Sequence, residues 1–135
     1  MPLKFPPNPG NILRCDFHGF REPEMVKPRP VVVISARPER MNRRTCIVVP
    51  LSTSAPNPIM KYHLEIALPG SVLPRDISRS CWVKGDMIYA VSLERLDLYR
   101  LGVNSEGKRL YYNERIDNQL LFEIRRAAGH AIGLH

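Results

Sequence analysis

All thirteen prolines of this 135-residue chain fall at or before Pro74. Proline holds φ near about −65° and removes a backbone donor, so it is excluded from helix interiors and, edges and bulges apart, from strands. The first 74 residues are therefore held to short extended segments broken by turns. The proline-free remainder agrees with a helical finish.

The apolar residues agree with this division. Residues 11–17 alternate Ile12, Arg14 and Asp16 against Leu13, Cys15 and Phe17, the two-residue period of a half-buried strand. Val31-Val32-Val33-Ile34 is a continuous β-branched run, as in a strand covered on both faces. Residues 46–51 repeat that character, residues 62–68 alternate again, and residues 80–86 and 88–91 supply one or two more strands. Turn signals every ten or so residues predict a small, strongly bent sheet or barrel. Late in the chain Asn113 offers a helix cap. Ile116, Leu120, Ile124 and Ala128 then follow at steps of four, with Leu121 and Ala127 widening the stripe, and the helix is predicted to end near Gly129. Residues 92–96 allow one helical turn more. The expected class is mainly β with a few helices: an irregular, proline-rich lead-in over residues 1–9 and a single domain over 10–135.

Composition narrows the function. At 44% hydrophobic the chain can bury a core. No apolar run approaches the roughly 18 residues of a membrane span, and residues 1–10 do not read as a signal peptide, so no membrane partner is expected. Cys15, Cys46 and Cys81 are scattered and odd in number, which suits a reducing cytoplasm and buried structural thiols. The four histidines (His18, His63, His130, His135) have no ligand spacing, and no metal or other cofactor is expected. Neither a GxSxG nucleophile nor a glycine-rich phosphate loop is present in the sequence. The net charge is +7, carried by 15 arginines and 5 lysines, a balance that favours a polyanionic partner with planar, bidentate phosphate contacts.

Three strand ends stand out. Arg29 is held between Pro28 and Pro30 just before the Val31 strand, a stiffened segment that presents its guanidinium. Ser52, Thr53 and Ser54 follow the 46–51 strand and offer hydroxyls to a phosphate. Lys84 and Asp86, two residues apart at a strand end, share a face of the strand and could address one site. Taken one at a time, these are also what a solvated loop, a polar turn and a surface ion pair look like. The basic loop with Arg37, Arg40, Arg43 and Arg44 is a candidate phosphate contact beyond any central site. Trp82 could stack on a base, but a lone strand tryptophan is more often a core anchor.

In order and spacing, Gly10, Asp16-Phe17, Glu24, Arg29-Pro30-Val31-Val32-Val33-Ile34-Ser35 and Val48-Val49-Pro50-Leu51-Ser52-Thr53 resemble the MazF/PemK family of type II toxin–antitoxin ribonucleases. Lys84-Gly85-Asp86, Leu93-Glu94-Arg95-Leu96 and a C-terminal helix continue the resemblance, which spans about residues 10–132. It implies a small SH3-like antiparallel barrel of about five to seven strands with a C-terminal helix. The implied state is a homodimer, neutralised by a cognate antitoxin. The implied activity is metal-independent, sequence-selective cleavage of single-stranded mRNA, the 2′-OH attacking the adjacent phosphorus to leave 2′,3′-cyclic phosphate and 5′-OH ends.

By position the resemblance makes Arg29, Ser52, Thr53 and Asp86 the catalytic set. Glu24, Lys27 and Lys84 become RNA contacts, alongside the basic-loop arginines 37, 40, 43 and 44. Pro23 stands where some relatives carry a histidine, which argues against a histidine mechanism, and His18 would replace it only if its loop folded back. Two other readings compete: a non-enzymatic gyrase-binding toxin of the CcdB type, and an RNA-binding module without activity.

Overall fold

The computed structural model describes residues 3, 6–37 and 43–134. Its strands are β1 (Ile12–Cys15), β2 (Arg29–Val33), β3 (Thr45–Ser52), β4 (His63–Ala67), β5 (Ser80–Lys84), β6 (Tyr89–Ser92), β7 (Leu96–Asp97), β8 (Tyr99–Val103) and β9 (Arg109–Tyr112). One 3₁₀ turn, Leu93–Arg95, precedes β7, and α1 (Asn118–Ala131) closes the chain. The main sheet runs β4-β5-β3-β2-β1-β7, with β6 paired to β3, and β8 and β9 form a separate hairpin. All pairings are antiparallel, and β4 and β7 are the open ends, so the sheet is bent without closing into a full barrel.

β3 makes the bend. Its first half pairs with β6 from Thr45 to Val48, and its end pairs with β5 at Leu51 and Ser52. Pro50 falls in the gap between those partners, where a missing N–H costs no ladder bond on that edge. The alternation of β2 then splits the interior in two. Val32 joins Ile12, Val49, Leu51, Val83, Tyr112 and Ile124 in one core, which α1 covers. Val31 and Val33 join Leu13, Cys15, Phe17, Val48, Val91 and Leu96 in the other. The continuous Val31–Val33 run is thus buried on both faces, as expected.

Several boundaries move. Asp117 rather than Asn113 caps α1, its side chain accepting from the Leu120 N–H at 2.8 Å. Ile116 is buried ahead of the helix instead of on its stripe. The proline-free tail holds the β8–β9 hairpin as well as the helix, an element absent from the pattern reading. β5 stops at Lys84. Trp82 is half-buried on the face opposite buried Cys81 and Val83, outside both cores, so it is no core anchor. The three cysteines are free and buried. Among the described residues no helix is long and apolar enough to cross a membrane.

Candidate active site

Arg29 opens β2 and Ser52 closes β3. With Val31 opposite Pro50 in the antiparallel ladder, these two ends converge. A cleft of about 120 Å³ opens there, walled by Arg29, Pro30, Leu51, Ser52, Thr53 and Cys81 and closed over by Asp76, Ile77 and Ser78 from the β4–β5 connection. The sheet thus brings Arg29, Ser52 and Thr53 together from segments more than twenty residues apart in the chain.

The loop leading to Arg29 is anchored. Arg95 donates from Nη1 to the Asp16 carbonyl at 2.9 Å and to the His18 carbonyl at 2.7 Å, with its guanidinium 4.7 Å from the Phe20 ring centroid. Phe17, Phe20 and Tyr89 form an aromatic trio with centroids 5.0–5.4 Å apart, and the Tyr89 hydroxyl accepts from the Met25 N–H at 2.9 Å. These contacts hold the chain on the approach to β2.

Within the cleft, Arg29 Nε is buried without a hydrogen-bond partner, the one such side-chain atom among the described residues. A buried donor left unpaired costs about 1–3 kcal/mol, more when charged, so a shift of the guanidinium toward an anion in the cleft would relieve that cost. Ser52 Oγ accepts from the Ser54 N–H at 3.2 Å, which fixes the hydroxyl while leaving its proton to donate. Thr53 and Asp76 are exposed at the rim. The Tyr99 hydroxyl lies in the field of Arg14, Asp76 and Arg29, and burial, the largest cause, pushes it above the usual tyrosine range. Burial likewise pushes the Cys81 thiol up to about 11, so it stays protonated and is a poor nucleophile.

Asp86 is elsewhere. β5 ends at Lys84, and Gly85 and Asp86 turn away, so Lys84 and Asp86 do not share a strand face. Gly85 is wedged so tightly that a Cβ would come within 2.6 Å of the Tyr62 carbonyl and 3.1 Å of the Ala128 nitrogen. Lys84 is opposite His63 across the ladder. His63 Nδ1 accepts from the Met60 N–H at 3.0 Å, and its Nε2 is 3.8 Å from Asp86 Oδ1. Neither Lys84 nor Asp86 lines the Arg29 cleft.

The other sequence candidates are scattered. Glu24 is exposed, Oε1 accepting from the Arg21 N–H at 2.8 Å, and Lys27 is exposed two residues before Arg29. Arg37, Arg43 and Arg44 are exposed, the last two at the Thr45 end of β3. Seven strand steps put that end at most about 23 Å from Ser52. Arg40 lies outside the described residues. His18 is exposed and does not line the cleft. The sequence reading did not find Asp76 and Ser78: residues 70–74 read as a turn, and residues 75–79 carry no pattern of their own. The Arg75-Asp76 charge pair is the one local signal there, and it is common in loops. Among the described residues no three His, Cys, Asp or Glu side chains are placed to hold a metal ion.

A family model described as PemK-like, MazF-like toxin of type II toxin–antitoxin system matches residues 8–127. The chain belongs to that family. It is 29% identical to YifN, an uncharacterized protein of Escherichia coli (strain K12), over 94% of this chain and 92% of that one. A mycobacterial endoribonuclease solved with its cognate antitoxin superposes with a TM-score of 0.61 at 18% identity, covering 96% of this chain and 98% of the other. MazF from Deinococcus radiodurans gives 0.59 at 18% identity, covering 94% and 96%. At that identity the shared property is the fold. In this PemK-like, MazF-like toxin, two of the stretches that carried the resemblance, residues 29–35 and 48–53, contribute walls to one cleft.

Proposed function

We propose that this toxin is an endoribonuclease that cuts single-stranded RNA in the Arg29 cleft. The observation that carries the reading is the buried, unpartnered Nε of Arg29 beside the hydroxyls of Ser52 and Thr53: a site short of an anion and furnished with donors. A net charge of +7 suits a polyanionic substrate, and the mycobacterial neighbour in complex with its antitoxin is an endoribonuclease.

In the reaction proposed, the substrate's 2′-oxygen bonds to the adjacent phosphorus and the bond from phosphorus to the 5′-oxygen breaks. The 2′-OH proton passes to a base, and a proton is delivered to the departing 5′-oxygen. Arg29 neutralises the charge that builds on the phosphoryl oxygens, with Ser52 and Thr53 as hydroxyl donors. We assign the base to Asp76, the carboxylate that the cleft itself contains, and give Asp86 a peripheral part with His63 and Lys84. Lys27 and Glu24 stand on the approach to Arg29. The half-buried ring of Trp82, opposite Ser52 in the ladder, is placed to stack on a base beside the cut. Arg43 and Arg44 at the far end of β3 would meet phosphates well away from the cut. The same reading makes the toxin a cytoplasmic homodimer, silenced by an antitoxin that occupies the RNA surface.

Purified protein incubated in EDTA with mixed-sequence single-stranded RNA tests this. Fragments with 2′,3′-cyclic phosphate and 5′-OH ends are expected. Intact RNA together with inhibited gyrase supercoiling would replace the nuclease by a protein-binding toxin.

A further inference from the structure

The β8–β9 hairpin stands outside the main sheet, pairing with no third strand among the described residues. Its inner side is committed: Tyr99 and Leu101 pack on the first core, and buried Tyr112 donates its hydroxyl to the Pro69 carbonyl at 2.6 Å. Its outer side is bare. Arg100 lies directly opposite Tyr111, and Arg109, two residues before Tyr111, projects from the same side of its strand. All three are exposed, Tyr111 to 39%. Across residues 99–112 three cations (Arg100, Lys108, Arg109) accompany one carboxylate, Glu106. An open phenol ring between guanidiniums matches single-stranded nucleic acid, whose bases stack on aromatic faces while its phosphates take the cations.

The hairpin also starts near the cleft. Arg29, Cys15 and Leu96 form one row across β2, β1 and β7. Two strand spacings make that row about 10 Å long. β8 begins three residues after Leu96, with a tyrosine that feels Arg29 and Asp76.

We propose that Arg100, Arg109 and Tyr111 form a binding site for single-stranded RNA beyond the cleft, a base lying on the Tyr111 ring and neighbouring phosphates on the two guanidiniums. The proposal rests on the ribonuclease reading and extends it, because it makes affinity depend on how far the substrate continues past the cut.

The experiment compares two RNAs with the same cut site, one barely spanning it and one continuing on both sides. Tyr111→Ala is expected to raise KM for the long RNA about tenfold, with kcat and the short RNA unchanged. An Arg100→Gln, Arg109→Gln double variant is expected to flatten the dependence of log KM on log salt by about 1.4, two phosphate contacts at about 0.7 each for a single strand. Equal losses on both RNAs, or none on either, would overturn the site. So would an unchanged KM with a smaller sedimenting mass, which would make the hairpin a contact between copies of the chain. If the wild-type protein cuts neither RNA, the ribonuclease reading falls separately. Fluorescence anisotropy on the long RNA then decides the hairpin: weaker binding by Tyr111→Ala supports it, and equal binding ends it.

Discussion

β5 has a carboxylate beyond each end, Asp76 before Ser80 and Asp86 after Lys84. At the first end the carboxylate joins an arginine with a buried, unsatisfied nitrogen and two hydroxyls around a cleft. At the second, Asp86 sits 3.8 Å from a histidine ring whose Nδ1 is already taken by backbone, beside a glycine packed against α1. One end is open and short of a partner; at the other the glycine backbone is packed and the exposed carboxylate already faces a histidine. Family position points to Asp86, whereas proximity to Arg29 points to Asp76. The difference is a reminder that a carboxylate's usefulness depends on which other groups reach the same atom.

The contrast is open to attack. Arg29→Ala should produce the largest loss, about 10²–10³ in kcat as for other lost transition-state donors, with the melting temperature close to wild type. Cleavage at the wild-type rate would empty the cleft of its function. Next, Asp76→Asn should lower kcat by about 10²–10⁴, the range for a general base, while Asp86→Asn stays within a few-fold of wild type. The reverse order would move the base to the other end of β5 and require the two ends to meet during the reaction.

Gly85→Ala probes the packed end. Its Cβ would strike the Tyr62 carbonyl and crowd the α1 backbone, which cannot swing aside as a side chain can, and overpacking of this kind costs about 1–3 kcal/mol. Urea unfolding should show that loss, with kcat for the folded fraction retained. Wild-type stability would mean that the α1 contact is loose.

The smallest effect concerns the thiols. Burial, offset in part by Arg95, raises Cys15 to about 12, and burial raises Cys46 and Cys81 to about 11, from an ordinary 9.0. The folded state therefore holds these protons more tightly than the unfolded one. Their contribution to stability is intact below pH 9 and is lost progressively as pH rises toward 11 to 12. Alkylation at pH 8 should be slow in the native protein and fast in urea. Rapid native labelling of Cys81 alone would show a cleft wide enough to admit the reagent.

Much of the fold was legible in the residues. The apolar runs 31–34 and 46–51 and the alternation in 11–17 and 62–68 became β2, β3, β1 and β4 because a strand's period is set by immediate neighbours. The helix was legible for the same reason, although its cap was misplaced by four residues because Asn113 and Asp117 both satisfy the cap rule. The β8–β9 hairpin escaped. Its alternation is interrupted by a register shift at Arg100/Gly102, and its apolar residues do not mark a buried side, since Val103, Leu110 and Tyr111 are all exposed. The turn signal was nevertheless there: Asn104 Oδ1 accepts from the Glu106 and Lys108 N–H groups at 2.9 and 3.0 Å, and Gly107 takes φ +79°. Trp82 was misjudged because facing is a matter of register, and a shift of one residue exchanges core for surface.

By itself, then, the sequence determined where this chain bends, which runs are buried, that Arg29 is held stiffly before a strand and that Ser52 and Thr53 end another. Those properties come from bonds and sterics within a few residues. Tertiary structure alone decided that the ends of β2 and β3 meet and that Asp76 rather than Asp86 closes over them. Ladder register and the path of the β4–β5 connection are settled by side chains distant in sequence packing into two cores, which no local pattern records.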